Sequence, residues 1–116
     1  MFELTILGSS SATPAYNRNP SSQVLNLNEH YYLIDCGEAT QNQLNRYKIK
    51  TVRIDYIFIS HLHGDHYLGL VGLLSSMHLK GRTEAITIFG PPQLLEIIEI
   101  QLKYSETQLR YPFVFI

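Results

Sequence analysis

Ile54-Asp55-Tyr56-Ile57-Phe58-Ile59-Ser60 runs directly into His61-Leu62-His63-Gly64-Asp65-His66, and this stretch decides the fold. Its first half is mostly apolar, β-branched and aromatic, as in a strand buried on both faces of a parallel sheet. Its second half gathers three imidazoles and a carboxylate within six residues. Neutral imidazole and carboxylate are the usual nitrogen and oxygen donors for zinc. In an extended segment residues two apart point the same way, so His61 and His63 can share one ion. Gly64 can redirect the backbone, which sends Asp65 and His66 elsewhere. Four donors aimed in two directions call for two metal ions, the arrangement of a hydrolase.

Upstream of this stretch, Phe2 to Leu7 reads as a first strand, followed by a loop rich in Gly, Ser, Pro and Asn to about Ser22. Gln23 to Leu27 and Tyr31 to Asp35 form a predicted hairpin across Asn28-Glu29-His30. A helix is expected from Glu38 to about Tyr47. Downstream, Leu68, Leu70, Val71, Leu73 and Leu74 predict a buried helix to about Leu79, stopped at Lys80-Gly81-Arg82. Ala85 to Phe89 is a further strand, and Gly90-Pro91-Pro92 turns into a helix over Gln93 to Tyr104. The apolar stripe Leu94, Ile97, Ile98 and Leu102 is a core-packing face. Strands and helices alternate, so the class is α/β.

The chain has 116 residues, 45% of them hydrophobic and 16% charged, with a formal net charge of -1. That composition suits one globular domain or part of one. A net charge near zero gives no global sign of nucleic-acid binding, so any such contact needs a local patch. Arg46, Lys48, Lys50 and Arg53 form a basic strip that reads as solvated surface. Cys36 is the sole cysteine, which excludes an internal disulfide and makes the cytoplasm the expected compartment. The start shows no secretory signal, and no apolar run approaches the ~20 residues that span a bilayer.

Counting donors shows the site to be half-built. A catalytic zinc usually takes three protein ligands plus water, whereas His61 with His63, and Asp65 with His66, give each ion two. His30 falls in the hairpin turn, where exposure is expected. His78 lies ~18 Å along a helix from His66, too far to close the site. The chain also ends on the apolar, strand-forming Tyr111-Pro112-Phe113-Val114-Phe115-Ile116, an edge that normally needs a partner. The expectation is the first part of a longer protein, inactive by itself.

His61, His63, Asp65 and His66 carry the His-x-His-x-Asp-His signature, and with it the chain resembles the metallo-β-lactamase superfamily. Within that superfamily it is similar to the ribonuclease Z family, endonucleases that trim the 3′ trailer from precursor tRNA. Leu7-Gly8-Ser9-Ser10-Ser11-Ala12-Thr13-Pro14 looks like that family's first loop, with Arg18-Asn19 at its Arg-Asn pair. Ile34-Asp35-Cys36-Gly37-Glu38-Ala39-Thr40-Gln41 is similar to its Asp-Cys-Gly-Glu-Gly-Thr-Gln segment, and Ile88-Phe89-Gly90-Pro91 to its downstream strand-to-helix joint. The sequence departs from the pattern at Tyr16, Ala39 and Met77, where lysine, glycine and arginine are usual.

The resemblance implies an αββα sandwich, a mixed sheet flanked by helices, of which residues 1–116 form the N-terminal part of a single domain. It implies two zinc ions at His61, His63, Asp65 and His66, metal-assisted phosphodiester hydrolysis, and Asp65 as the catalytic proton acceptor. Asp35 is then either a residue that orients a ligand histidine or a turn carboxylate. Arg18 and Asn19 either contact phosphate or RNA or lie in a solvated loop. The implied partner is precursor tRNA, and the implied assembly a homodimer in the cytoplasm with no membrane. The alternatives are another hydrolase of the same fold (phosphodiesterase, lactonase or arylsulfatase-like) and a non-catalytic half-domain.

Overall fold

The computed structural model describes residues 2–8 and 21–116, the side chains of Phe2 and Asp65 excepted. Six strands and four helices follow one another as β1 (Phe2–Gly8), β2 (Ser22–Leu27), β3 (His30–Cys36), α1 (Thr40–Arg46), β4 (Ile54–Phe58), α2 (Gly64–Tyr67), α3 (Leu70–Leu79), β5 (Ile86–Phe89), α4 (Pro92–Tyr104) and β6 (Phe113–Phe115), with a 3-10 turn at Thr51–Arg53 leading into β4. The strands lie side by side in chain order. β1, β2 and β3 pair antiparallel, while β3 to β6 pair parallel. The two-residue turn Asn28–Glu29 joins β2 to β3, and helical crossovers make the parallel part.

Register places one continuous row across the sheet: Thr5, Val24, Leu33, Ile57, Ile88 and Phe115 are successive neighbours. Val24, Leu33, Ile57 and Ile88 share a buried cluster with Leu44 of α1, Leu70, Leu73, Leu74 and Met77 of α3, and Leu94 and Ile98 of α4. Each large apolar side chain removed from water there contributes about 1.5–3 kcal/mol. Met77, one of the departures from the family pattern, is a fully buried part of this core.

The row on the opposite face is Leu4, Leu25, Tyr32, Tyr56, Thr87 and Val114. It is apolar too, yet open: Ile6 is 56% exposed, Val114 50% and Ile116 65%. Tyr32 stacks on Tyr56 at 5.0 Å and Phe58 on Phe89 at 4.7 Å, which shields part of it. The expectation that the central strand is buried on both faces is therefore corrected. β4 buries Ile57 fully while Phe58 stays 36% exposed, because among the described residues only one face carries helices.

The hairpin turn is tighter than the sequence suggested. Asn28 and Glu29 alone make it, both at positive φ of 54 and 70, the backbone that matches the twist of two-residue hairpins. His30 begins β3 instead. α1 starts at Thr40 and not at Glu38, since Ala39 sits in the left-handed region at φ 69. A side chain there costs about 1–2 kcal/mol that glycine would not incur. The expected helix end at Lys80-Gly81-Arg82 is present: Gly81 takes φ 85, and the N–H groups of Gly81 and Arg82 donate to the carbonyls of His78 and Met77. The predicted terminal strand pairs in parallel with β5.

Candidate metal centre

Ligand sites of α/β sheets form where parallel strands end, and here the carboxyl ends of β3 and β4 lie together. β3 reaches the site through a bulge. Ser22 faces Cys36 and Gln23 faces Ile34, so Asp35 has no partner across the ladder. Asp35 adopts φ 60, a left-handed conformation that aspartate tolerates better than most residues. The Ser22 hydroxyl donates to its carbonyl at 3.0 Å. A bulge of this kind re-aims a side chain, and the Asp35 carboxylate, buried at the sheet's end, points across to the segment after β4.

There it meets three donors. The Ser60 backbone N–H donates to Asp35 Oδ1 at 2.8 Å, and the Ser60 hydroxyl lies 3.0 Å from both carboxylate oxygens. His66 Nδ1 is 2.7 Å from Oδ2, in a pair whose side chains are 17% and 9% exposed. An ionised carboxylate only accepts, so His66 carries a proton on Nδ1 and its Nε2 holds the lone pair that a metal takes. Histidine ligands are commonly fixed in this way by a carboxylate behind them.

The two other histidines stand beside His66. The ring centroids of His61 and His66 are 3.8 Å apart, and those of His61 and His63 are 4.9 Å apart and nearly perpendicular. α2 holds the arrangement: the His66 N–H donates to the His63 carbonyl at 2.9 Å. Leu68 and Gly69 then separate α2 from α3, so the helix expected from about Leu68 begins at Leu70, after a short α2 that the sequence did not suggest. The reason is that the Gly69 N–H donates to the Cys36 carbonyl at 2.9 Å, tying the chain to the end of β3.

Of the residues singled out from sequence, His61, His63, His66 and Asp35 converge. Asp65 belongs to α2 by its backbone, and its side chain lies outside the described residues. Arg18, Asn19 and Tyr16 also lie outside them. His78 is remote and accepts from the Arg110 N–H at 3.0 Å. His30 is exposed, 3.8 Å from Asp55. Cys36 is no ligand candidate, for burial pushes its thiol up to about 12 and keeps it protonated. Arg53 of the basic strip pairs with Glu29 at 3.3 Å. Among the described residues no group of three or more His, Cys, Asp or Glu is placed to hold one metal ion. The donor set of clustered imidazoles, one of them backed by a buried carboxylate, fits a metal of zinc's type.

Sequence reasoning missed Ser60. Its signal was available: a small hydroxyl residue immediately before the first histidine, at the end of a strand beside the one ending in Asp35.

Residues 2–110 match the model of the family described as Anti-Pycsar protein Apyc1. The chain is 63% identical over 111 residues to the ribonuclease Z of Cytophaga hutchinsonii, covering 96% of this chain and 36% of that relative. Among solved structures, the short form of human tRNase Z matches with a TM-score of 0.91 at 41% identity, over 97% of this chain and 42% of that protein. A metallo-β-lactamase fold protein from Bacillus subtilis matches with a TM-score of 0.73 at 23% identity, over 97% of this chain and 44% of that one, a likeness of fold alone. The chain thus spans little more than a third of the length of the curated relatives it matches. The expected likeness to the N-terminal part of ribonuclease Z is found, and so is the metallo-β-lactamase fold. That fold suggests a metal cofactor.

Proposed function

This chain belongs to the family of the anti-Pycsar protein Apyc1, and with its ribonuclease Z relatives as second premise we propose that it is the N-terminal portion of a zinc-dependent endoribonuclease. The substrate is precursor tRNA and the product a trimmed 3′ end. The observation that carries the reading is the cluster of His61, His63 and His66 braced by Asp35, in a chain with these relatives.

In this reading His61, His63, Asp65 and His66 hold two zinc ions, with the remaining ligands supplied from outside the 116 residues. Zinc bound there supplies positive charge beside the scissile phosphate and an attacking water of lowered pKa. Asp35 and Ser60 keep the imidazoles oriented, so no reorganisation is needed when substrate arrives. Asp65 accepts the proton of the attacking water. Arg18 and Asn19 contact phosphate. The protein is a cytoplasmic homodimer that uses no membrane. Lone Cys36 supports that compartment; among the described residues no helix is long and apolar enough to cross a bilayer. The open apolar sheet face is the surface on which the rest of an αββα domain packs.

A second reading is another phosphodiesterase of the same fold, favoured by the family model, which is described by an anti-Pycsar protein and not by a tRNA-processing one. The deciding experiment measures zinc content of the full-length protein and its cleavage of precursor tRNA beside a small phosphodiester. Zinc-dependent trailer release, lost in His63→Ala, is expected. A zinc-loaded protein that hydrolyses the small diester and leaves precursor tRNA intact would overturn the first reading in favour of the second. The 116-residue chain by itself should show neither activity.

A further inference from the structure

The Ser60 hydroxyl sits among four partners: both oxygens of Asp35 at 3.0 Å, His61 Nδ1 at 3.1 Å and His66 Nδ1 at 3.3 Å. A hydroxyl has one proton to give and two lone pairs to offer. Its only charged acceptor among the described residues is the Asp35 carboxylate, and a hydrogen bond to an ionised group is about twice as strong as a neutral one. The Ser60 proton therefore goes to Asp35. What remains on the Ser60 oxygen is acceptor capacity, and that capacity faces the two imidazoles.

His66 has its own shorter route to the carboxylate, at 2.7 Å. His61 Nδ1 instead meets the Ser60 hydroxyl, at 3.1 Å. For that contact to be a hydrogen bond, His61 must bring the proton on Nδ1, which leaves the lone pair on Nε2. The opposite tautomer would set a nitrogen lone pair against an oxygen lone pair. We infer that Ser60 is a positioning residue that relays the charge of Asp35 to His61, so that one buried carboxylate sets the tautomers of two histidines, His66 directly and His61 through the hydroxyl. The relay orders protons as His61 Nδ1–H to Ser60 Oγ, and Ser60 Oγ–H to Asp35, with His66 Nδ1–H arriving at the same carboxylate. Its purpose rests on the metal reading proposed above, since a histidine fixed with its lone pair on Nε2 is a prepared ligand.

The test is carried out on the full-length protein in two steps. Nitrogen-15 NMR of the metal-free protein reads the tautomers. His61 and His66 should both show protonated Nδ1 and bare Nε2. In Ser60→Ala, His61 should lose that preference while His66 keeps it, and Ser60→Thr should restore His61. Zinc titration against a competing chelator should then show affinity about 10-fold weaker in Ser60→Ala and recovered in Ser60→Thr. A wild-type His61 protonated on Nε2, or a tautomer unmoved by Ser60→Ala, overturns the relay without requiring the variant to be stable in the first case. Failure of the wild-type protein to take up zinc would overturn the metal reading instead, and the tautomers would still decide the relay.

Discussion

Gly69→Ala tests whether the site depends on one close approach of two backbones. Gly69 has φ -86 and ψ -4, so alanine meets no conformational penalty there. It meets the loop after β3 instead. A Cβ on Gly69 would lie 2.2 Å from the Gly37 carbonyl oxygen, 3.1 Å from the Gly37 carbonyl carbon and 3.2 Å from the Cys36 carbonyl oxygen. All three are backbone atoms, so no side-chain rotation relieves the clash. The two segments must part by about 1 Å before carbon and oxygen regain a tolerable separation. Overpacking of this sort costs about 1–3 kcal/mol. Stretching the Gly69 N–H to Cys36 carbonyl bond, 2.9 Å in this structure, costs about 1 kcal/mol more. A total loss of about 2–4 kcal/mol is expected, read as a lower urea midpoint of the full-length protein at unchanged slope. Asp35 lies just before one of these segments and His66 just before the other, so their 2.7 Å contact lengthens with the separation. Zinc affinity should fall about 10–100-fold in the folded variant. Stability within about 0.5 kcal/mol of wild type, together with unchanged zinc affinity, would refute the reasoning.

Asp35→Asn keeps the shape but puts an amide N–H₂ where an acceptor was, which drives the His66 proton to Nε2. Zinc affinity should fall about 10–100-fold with little loss of stability; equal affinity by chelator competition would argue against the assigned role. Arg82, whose side chain is 2% exposed, donates to the carbonyls of Val52, Ile54, Glu84 and Ala85 and to Asp55. Arg82→Lys has too few donors in the wrong geometry, so a loss of about 2–4 kcal/mol in urea unfolding is expected. Burial pushes Cys36 from its ordinary 9.0 to about 12. The folded state favours the neutral thiol, so this contribution is complete below pH 9 and is lost as pH rises toward 12. Cys36→Ala should flatten the alkaline decline in unfolding free energy, leaving the part due to Tyr111, also raised by burial. An unchanged slope would remove Cys36 from the account.

Much of the fold was legible because local and global preferences agree. Ile54 to Phe58 reads as a strand from composition alone, and the Gly81 stop of α3 follows from glycine's access to φ 85. The misplaced boundaries share a physical origin. Ala39 ends up in the left-handed region because the loop from Gly37 must turn before α1 can start, and an alanine gives no hint of that. The helix expected from about Leu68 starts at Leu70 because the Gly69 N–H is hydrogen-bonded to the carbonyl of Cys36, a residue 33 positions earlier. Tertiary bonds of that span leave no mark on a local period.

The site shows the same division in sharper form. Its candidate ligating residue types and their spacing are visible in six consecutive residues, since the signal is chemical and local. The layer behind them is not. Whether Asp35 was a turn carboxylate or an orienting one depended on a bulge, and a bulge depends on how Ser22 and Gln23 face Cys36 and Ile34 across another strand. Ser60 was harder still, because a hydroxyl before the first histidine is a weak signal until the carboxylate is known to lie 3.0 Å away. The functional consequence follows from the geometry. If the metal site is half-built within these residues, its preorganisation is not: the carboxylate, the hydroxyl and the three rings all belong to this chain. Ligands added from elsewhere would meet imidazoles already oriented, so mutations at Asp35 or Ser60 should weaken metal binding even where every ligand remains.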